Sequence, residues 1–262
     1  MRTLVFGAAM AAICVAMQPA VNQDQVDPQQ IIQKFSAKEA EFREARNNYT
    51  YRQTVKMEEL DMGGNPTGGK WEEVDDIYFS NDKRAEKVFY APVISLQHIL
   101  LTPEDVADLR DVQPFVLTTS EVVDYNINYL GREKLDEIGC YTFSVKPKKM
   151  VKGKRYFEGQ VWVDDRDFQI VKSYGKGVGL VDSKTNQFPK FETYREQIDG
   201  KYWFPTYTHA DDTLHFKDMD QRIRMTVRYQ DYKKYEGKST IRFGGVVDEK
   251  KGTTEPPATK KK

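Results

Sequence analysis

The fold is decided in the stretch YFEGQVWVDDRDFQIVK (residues 156–172), which reads as a strand, a tight turn and the start of a return strand. Phe157 and Val161 through Val163 provide apolar side chains, and Glu158 and Gln160 lie between them. A period of two is typical of a strand that packs one face on a core and exposes the other to water. The acidic run DDRD suits a turn. The stretch therefore predicts an antiparallel hairpin.

The same period of two recurs along most of the chain. It is found in Tyr49–Val55, Trp71–Phe79, Ala85–Tyr90, Val123–Tyr129, Tyr141–Lys146 and Arg222–Tyr229. The regular alternation of strands and helices that builds a parallel sheet is absent. We therefore predict one long antiparallel sheet, strongly curved or partly closed, with apolar and aromatic residues on its inner face.

Two segments break the strand pattern. Asp27 and Pro28 are a cap and a first-turn proline, and apolar residues then recur at helical spacing as far as Arg46, which predicts an N-terminal helix. Residues 92–113 are strongly apolar and contain the helix-start run TPED (residues 102–105). We interpret this second segment as one or two short helices inserted between strands. A glycine-rich loop is expected at residues 63–69.

The two ends of the sequence differ from the rest. Residues 1–20 have the layout of a secretory signal peptide, with Arg2 before an uncharged apolar run, so we expect a periplasmic protein. Lipid attachment at Cys14 is an alternative, although an isoleucine precedes it where this chemistry prefers a small residue. Residues 247–262 are polar and are expected to be a disordered, charged tail. Residues 21–246 between them should form a single domain.

Composition and short motifs exclude several classes of function. The 40 Lys and Arg residues balance the 40 Asp and Glu residues, whereas nucleic-acid binders carry a basic excess. The run GKGVG (residues 175–179) lacks the spacing and the ending of a phosphate loop, and we interpret it as a flexible connection between strands. No nucleophile-elbow motif occurs, and Cys140 fits a small buried apolar residue. We expect no cofactor and no catalytic residue.

One segment offers candidate metal ligands, namely His209, Asp211 and His215. On one extended strand the two histidines would stand roughly 20 Å apart, so they could share a zinc ion only if the chain turned between them. A secreted metal-dependent hydrolase is therefore kept as an alternative. The other interpretation is a hairpin turn with surface histidines, and we predict no metal site.

Two charged groups have a functional and a structural interpretation. The aspartates in residues 164–167 could be paired carboxylates for glycoside hydrolysis, but a turn explains them well. Arg222, Arg224 and Arg228 could bind anionic head groups, whereas a solvated strand face with cross-strand ion pairs is the favoured interpretation.

Two blocks of sequence resemble those of a known family. They are YFEGQVWVDD with FQIVK (residues 156–165 and 168–172) and TYREQIDGKYWFP (residues 193–205). With the N-terminal helix, the long sheet and the helical insertion, they resemble the LolA and LolB superfamily of outer-membrane lipoprotein-sorting proteins over roughly residues 28–245. The resemblance implies a β-rich α+β fold in which the sheet forms an unclosed half-barrel. It also implies helices that act as a lid over a hydrophobic cavity for acyl chains.

The function expected from the resemblance is non-covalent binding or transport of a lipid or of an acylated lipoprotein, by a monomer with transient membrane contact. Alternation places nine candidate lining residues on the inner face: Tyr125, Ile127, Phe143, Val145, Phe157, Val161, Ile170, Met225 and Val227. The 15 Tyr, 14 Phe and 3 Trp residues could line a cavity or fill a core. A filled core would favour the alternative of an envelope interaction or sensor protein.

Overall fold

The computed structural model describes residues 27–80, 83–180 and 188–234. Its dominant element is one ten-stranded antiparallel sheet. The strands are β1 (Tyr49–Leu60), β2 (Pro66–Ser80), β3 (Lys83–Tyr90), β4 (Tyr125–Leu135), β5 (Ile138–Pro147), β6 (Tyr156–Asp164), β7 (Ile170–Val178), β8 (Phe191–Ile198), β9 (Tyr202–His215) and β10 (Asp220–Lys234). The segments predicted as signal peptide and tail, with Cys14, lie outside the described residues.

The order of the strands explains how the chain crosses its own sheet. Spatially they follow β3-β2-β1-β10-β9-β8-β7-β6-β5-β4, so β3 and β4 form the two edges and do not pair with each other. Strands β1, β2 and β3 are laid down in order towards the β3 edge, and the chain then crosses to the β4 edge. Strands β4 to β10 follow in order from that edge, so that β10 pairs with β1. The crossing segment, residues 91–124, is called the strap below. The predicted open antiparallel sheet is confirmed.

An N-terminal helix, α1 (Pro28–Arg46), packs on one face of the sheet, which we call the inner face. It begins where the Asp27 carboxylate accepts a hydrogen bond from the amide of Gln29 at 2.9 Å, with proline in the first turn. Its stripe of Ile31, Ile32, Phe35 and Phe42 is buried, while the opposite side is charged. The ring of Phe35 lies 5.5 Å from that of Phe143 on β5.

The strap contains the short inserted helices that the sequence predicts, and they begin only at Pro103. Its helix α2 (Pro103–Ala107) begins at a capping box between Thr102 and Asp105, continues as a π-helical turn (Asp108–Val112), and a short 3₁₀ turn (Val122–Asp124) ends the strap. Residues 91–102 are not helical, and several of their backbone amides bond to groups on the sheet. The amide of Ser95 donates to the Lys70 carbonyl on β2 at 2.9 Å, and the amides of Gln97 and His98 donate to Glu59.

Three local predictions are corrected by the structure. The glycine-rich loop is shorter than residues 63–69, because β2 already begins at Pro66. Val123 belongs to the 3₁₀ turn and is exposed, so β4 starts only at Tyr125. The run at residues 175–179 is not a flexible connection, since most of it continues β7 to Val178. Among the described helices, none is long and apolar enough to cross a membrane.

Candidate functional site

The nine predicted lining residues lie on the inner face of the sheet, and they are part of a packed core. Eight of them are buried, and Ile127 on β4 is partly buried. They share one apolar cluster with α1 and with four buried residues of the strap: Leu109, Val112, Phe115 and Leu117. The rings of Phe115 and Phe157 stack 4.4 Å apart. The inner face is therefore filled by the chain itself in this arrangement.

Little empty space remains between residues 101–113 of the strap and the sheet. A cavity of about 30 Å³, roughly the volume of one water molecule, lies where they meet. Its apolar lining comes from the strap (Leu101, Leu109), from β1 and β2 (Met57, Trp71) and from β8 and β10 (Phe191, Met225). An acyl chain could reach these residues only if the strap moved away from the sheet.

The strap is held to β1 by a buried carboxylate. Glu59 accepts hydrogen bonds from the backbone amides of Gln97 (3.0 Å), His98 (2.7 Å) and Ile99 (3.0 Å). Gly69 on β2 leaves room for it, because a Cβ there would lie 2.1 Å from Glu59 Oε2. Burial raises the pKa of Glu59, whereas the hydrogen bonds from the strap lower it. The hydrogen bonds together have the larger effect, so the pKa lies below the ordinary value of a glutamate.

A second buried group joins three elements at once. Arg195 on β8 donates from Nη1 to both carboxylate oxygens of Glu39 on α1 at 3.1 Å. Its Nη2 donates to the carbonyl of Phe115 in the strap. The amide of Ile170 also donates to Glu39, at 3.2 Å, and both charged side chains are almost fully buried. Since a buried charge needs a partner, this pair fixes α1 and the strap relative to the sheet.

A third contact holds the strap near the start of β6. Arg155 donates to both carboxylate oxygens of Asp108, at 2.6 and 2.7 Å, in a two-pronged geometry. Gly177 on β7 makes this pair fit, because a Cβ there would lie 1.9 Å from Asp108 Oδ2. At the β3 edge, Arg110 of the strap bonds to Glu86. Besides its apolar packing and the Ser95–Lys70 backbone hydrogen bond, the strap thus contacts the sheet through side-chain carboxylates and guanidinium groups.

Exposed apolar side chains lie beside this covered face. Val93 and Leu100 of the strap are 93% and 77% exposed, and Ile94 is half exposed. The adjoining edge strand β3 exposes Val88 and Phe89 as well. Where exposed apolar side chains form a contiguous patch, they can serve as a binding surface.

Comparison with known proteins finds no family model and no curated protein that match this chain. Among solved structures it is similar to a LolA superfamily protein from Nitrosomonas europaea, at 13% identity over 80% of this chain and 94% of that one, with a TM-score of 0.37. It is also similar to a DUF1329 family protein from Desulfovibrio piger, at 15% identity over 82% of this chain and 96% of that one, with a TM-score of 0.43. A third similar structure is an outer membrane lipoprotein-sorting protein domain from Vibrio parahaemolyticus, at 14% identity over 80% of this chain and 95% of that one, with a TM-score of 0.35.

Proteins of the superfamily that the two sequence blocks resemble are thus among the solved structures similar to this chain. All three TM-scores are below 0.5.

The candidate metal ligands do not converge. His209, Asp211 and His215 lie on the single continuous strand β9, with no turn at residues 211–212. His215 bonds to Asp220 at 2.9 Å, and within the described residues no group of three His, Cys, Asp or Glu side chains could hold a metal ion. The expected hairpin turn at this place is therefore wrong, because β9 stays paired with β10 throughout.

The other charged candidates have structural partners. Asp164 Oδ1 accepts from the amides of Arg166 (2.6 Å) and Asp167 (3.2 Å), as the turn interpretation predicts. Arg222 and Arg224 both bond to Asp211 across β9 and β10, which confirms cross-strand ion pairs.

Cys140 is buried on the outer face with Trp162 and Val171. Burial, together with the nearby charge of Asp164, raises the pKa of its thiol to about 11. Arg228 lies over the ring of Tyr207 at 5.7 Å.

Sequence reasoning missed Glu59, Arg155 and Arg195. A signal for two of them was present, because Glu59 follows the inward-facing Met57 by two positions and Arg195 follows the buried Thr193 by two. A charged residue at an inward position of an alternating strand needs a buried partner, and that partner indicates what covers the strand.

Proposed function

We propose that this protein binds the acyl chain of a lipid or lipoprotein between the inner face of its sheet and the strap. The observation that carries the proposal is that an extensive apolar face is covered by an irregular segment, which is held by its own buried apolar residues and by the polar contacts of Glu59, Arg155 and Arg195. The periplasmic location and the lipid or lipoprotein partner expected from the sequence are part of this proposal.

The proposed mechanism is an exchange of apolar contacts without covalent chemistry. Each methylene of the ligand that leaves water gains about 0.8 kcal/mol. Displacing the strap costs the hydrogen bonds to Glu59 and Arg155 and exposes Leu109 and Phe115, so a long acyl chain is needed to compensate. The exposed Val93 and Leu100 provide the first contact surface for that chain.

The experiment is equilibrium and stopped-flow binding of a fluorescent fatty acid to the wild-type protein and to two matched variants. Glu59→Gln keeps the size of the side chain but removes the charge that holds residues 97–99. Glu58→Gln makes the same change on the neighbouring, partly exposed residue of β1. We expect saturable binding throughout, with faster uptake in Glu59→Gln alone. Absence of saturable binding in all three proteins would contradict the proposal.

A second candidate function follows from the filled core and the exposed β3 edge. Val88, Phe89 and Tyr90 are half exposed or more, and among the described strands β3 pairs with β2 alone. A free edge with apolar side chains is suited to a protein partner. An interaction protein of this kind would bind no fatty acid, and Phe89→Ser would abolish the contact with its partner.

A further inference from the structure

One polar side chain of the strap lies among the apolar residues of the proposed acyl site. Gln113 directly follows the π-helical turn of the strap and is only 4% exposed. It lines the cavity of about 30 Å³ beneath the strap, together with Trp71, Leu101 and Met225. An acyl chain bound among these residues would therefore meet an amide group as well as apolar side chains.

The backbone of Gln113 is held on both sides. Its amide donates to the Asp108 carbonyl at 2.9 Å, and its carbonyl accepts a hydrogen bond from Oγ1 of Thr193 on β8 at 2.8 Å. The Thr193 hydroxyl lies in turn 2.8 Å from that of Thr208 on β9. These bonds hold the residue against the inner face, where its side chain contacts Met225 on β10.

The side-chain amide of Gln113 has unmet hydrogen-bonding capacity. Among the described residues its Oε1 has no partner, although it is buried, and its Nε2 contacts the sulfur of Met225 at 3.8 Å. A thioether sulfur is a weak acceptor. The two acids that line the same cavity do have partners, since Asp105 belongs to the capping box and Asp108 is paired with Arg155.

A buried acceptor without a donor costs the free energy of its lost hydration. A plain acyl chain supplies only methylene groups to Gln113 and leaves this cost in place, and an ionised carboxylate has no donor to offer. A hydroxyl group on the chain supplies a donor, and it is small enough for a cavity with room for one water molecule. It would also replace a water molecule held there without loss of the hydrogen bond.

We propose that Gln113 recognises a hydroxyl group on the acyl chain and accepts a hydrogen bond from it at Oε1. The inference rests on the acyl site proposed above and names the chemical class of chain that this site prefers. Gln113 is then the specificity-determining residue, while Leu101 and Met225 pack against the methylene groups of the same chain.

The experiment is competitive displacement of the fluorescent fatty acid by palmitic acid and by three of its hydroxy derivatives. Their hydroxyl groups lie near the carboxylate, in the middle of the chain and at its end. Gln113→Met keeps the length of the side chain and removes both hydrogen-bonding groups. Gln97→Met makes the same change at an exposed position of the strap and is the matched control.

The quantity compared is the Kd of each hydroxy derivative divided by the Kd of palmitic acid in the same protein. This ratio separates the hydrogen bond from the general loss of hydrophobicity that a hydroxyl causes. For the derivative whose hydroxyl reaches Gln113, we expect the ratio to be about tenfold lower in wild type and in Gln97→Met than in Gln113→Met. A hydrogen bond that satisfies a buried acceptor contributes roughly that factor.

The outcomes separate this inference from the acyl site itself. Saturable binding of palmitic acid with the same ratios in all three proteins would overturn the role of Gln113 and leave the acyl site standing. No saturable binding of any of the four acids would overturn both. Gln113→Met should melt no lower than Gln97→Met, because it removes an amide with unmet hydrogen bonds. A clearly lower melting temperature, or failure to fold, would show that the amide is already satisfied within the fold and would overturn the proposal.

Discussion

The carboxylate of Glu59 on β1 accepts a hydrogen bond of 2.7 Å from the backbone amide of His98 in the strap. This contact joins a strand in the middle of the sheet to the segment that connects its two edges. Because the neighbouring amides of Gln97 and Ile99 bond to the same carboxylate, one ionised side chain holds three consecutive residues of the strap.

Loss of the Glu59 charge is expected to release this part of the strap. In Glu59→Gln we expect the amides of residues 97–99 to exchange hydrogen faster. The free energy of local opening should fall by roughly 2 kcal/mol, since charge-assisted hydrogen bonds to a buried acceptor are lost. Because the pKa of Glu59 is lowered in the folded protein, the same stability should be lost on acidification through that lowered pKa and be complete at neutral pH. Hydrogen exchange followed by mass spectrometry measures both effects. Unchanged exchange at residues 97–99, with Glu58→Gln as control, would refute this role.

The Glu39–Arg195 pair predicts a non-additive result in a double-mutant cycle. Removing either charge alone should destabilise the protein by about 3 to 5 kcal/mol, because the other charge is left buried without a partner. The double variant Glu39→Gln with Arg195→Met should cost clearly less than the sum of the two, although the Phe115 carbonyl still loses its donor. Urea denaturation gives the three values. Additive effects would mean that the two side chains do not form the pair described here.

Asp75 is expected to make the protein less stable as the pH rises. It is buried on β2, its Oδ1 has no hydrogen-bond partner, and burial together with the charge of Glu73 raises its pKa to about 7. The folded state therefore holds a proton that the unfolded state has lost, so stability should fall from the acidic range up to about pH 7 and then level off.

Replacing Asp75 by asparagine should flatten this pH dependence. We expect Asp75→Asn to be more stable than wild type at pH 8, by roughly 1 to 2 kcal/mol, and similar to it near pH 4. Asp76→Asn, which changes the outward-facing neighbour paired with Arg52, should keep the wild-type slope. Thermal melts across this pH range provide the test, and a variant with the wild-type slope would show that Asp75 does not carry the effect.

Gly177 is expected to be intolerant of even one methyl group. In Gly177→Ala the new Cβ would lie 1.9 Å from Asp108 and 2.8 Å from Arg155, so the pair would have to separate and the strap would shift. We expect a loss of roughly 1 to 3 kcal/mol and faster hydrogen exchange in residues 103–112. Lys176→Ala, at the exposed neighbouring position, serves as the control for a change in the same strand. A Gly177→Ala protein as stable as this control would contradict the contact.

Alternation of apolar residues predicts the sheet and its inner face because burial repeats every second residue in a strand. Phe143, Val145 and Val227 lie at such alternate positions and are buried in the core cluster. The same rule could not show that the inner face is filled, because the strap that fills it has neither a helical nor a strand period over residues 91–102. Its path depends on Glu59, whose partners lie about forty residues further along the chain.

The glycines of residues 175–179 also show that local composition can be misleading, here by suggesting a loop where the chain forms a strand. A glycine-rich run is typical of a flexible connection, yet Gly175 and Gly177 lie inside β7. Gly177 leaves room for Asp108, and Gly175 does so for the Phe157 ring, which would lie 2.8 Å from an added Cβ. A close approach by a group distant in sequence cannot be seen in the local composition.

The proposed site beneath the strap can be located by photolabelling with a fatty acid that carries a diazirine near the end of its acyl chain. Peptide mapping after irradiation locates the end of the chain within the protein. We predict that the label is attached to the apolar residues between the strap and the sheet, around Trp71, Leu101 and Met225, and that unlabelled fatty acid suppresses it. Labelling confined to the exposed residues of β3, or no labelling that a competitor suppresses, would contradict an acyl site beneath the strap.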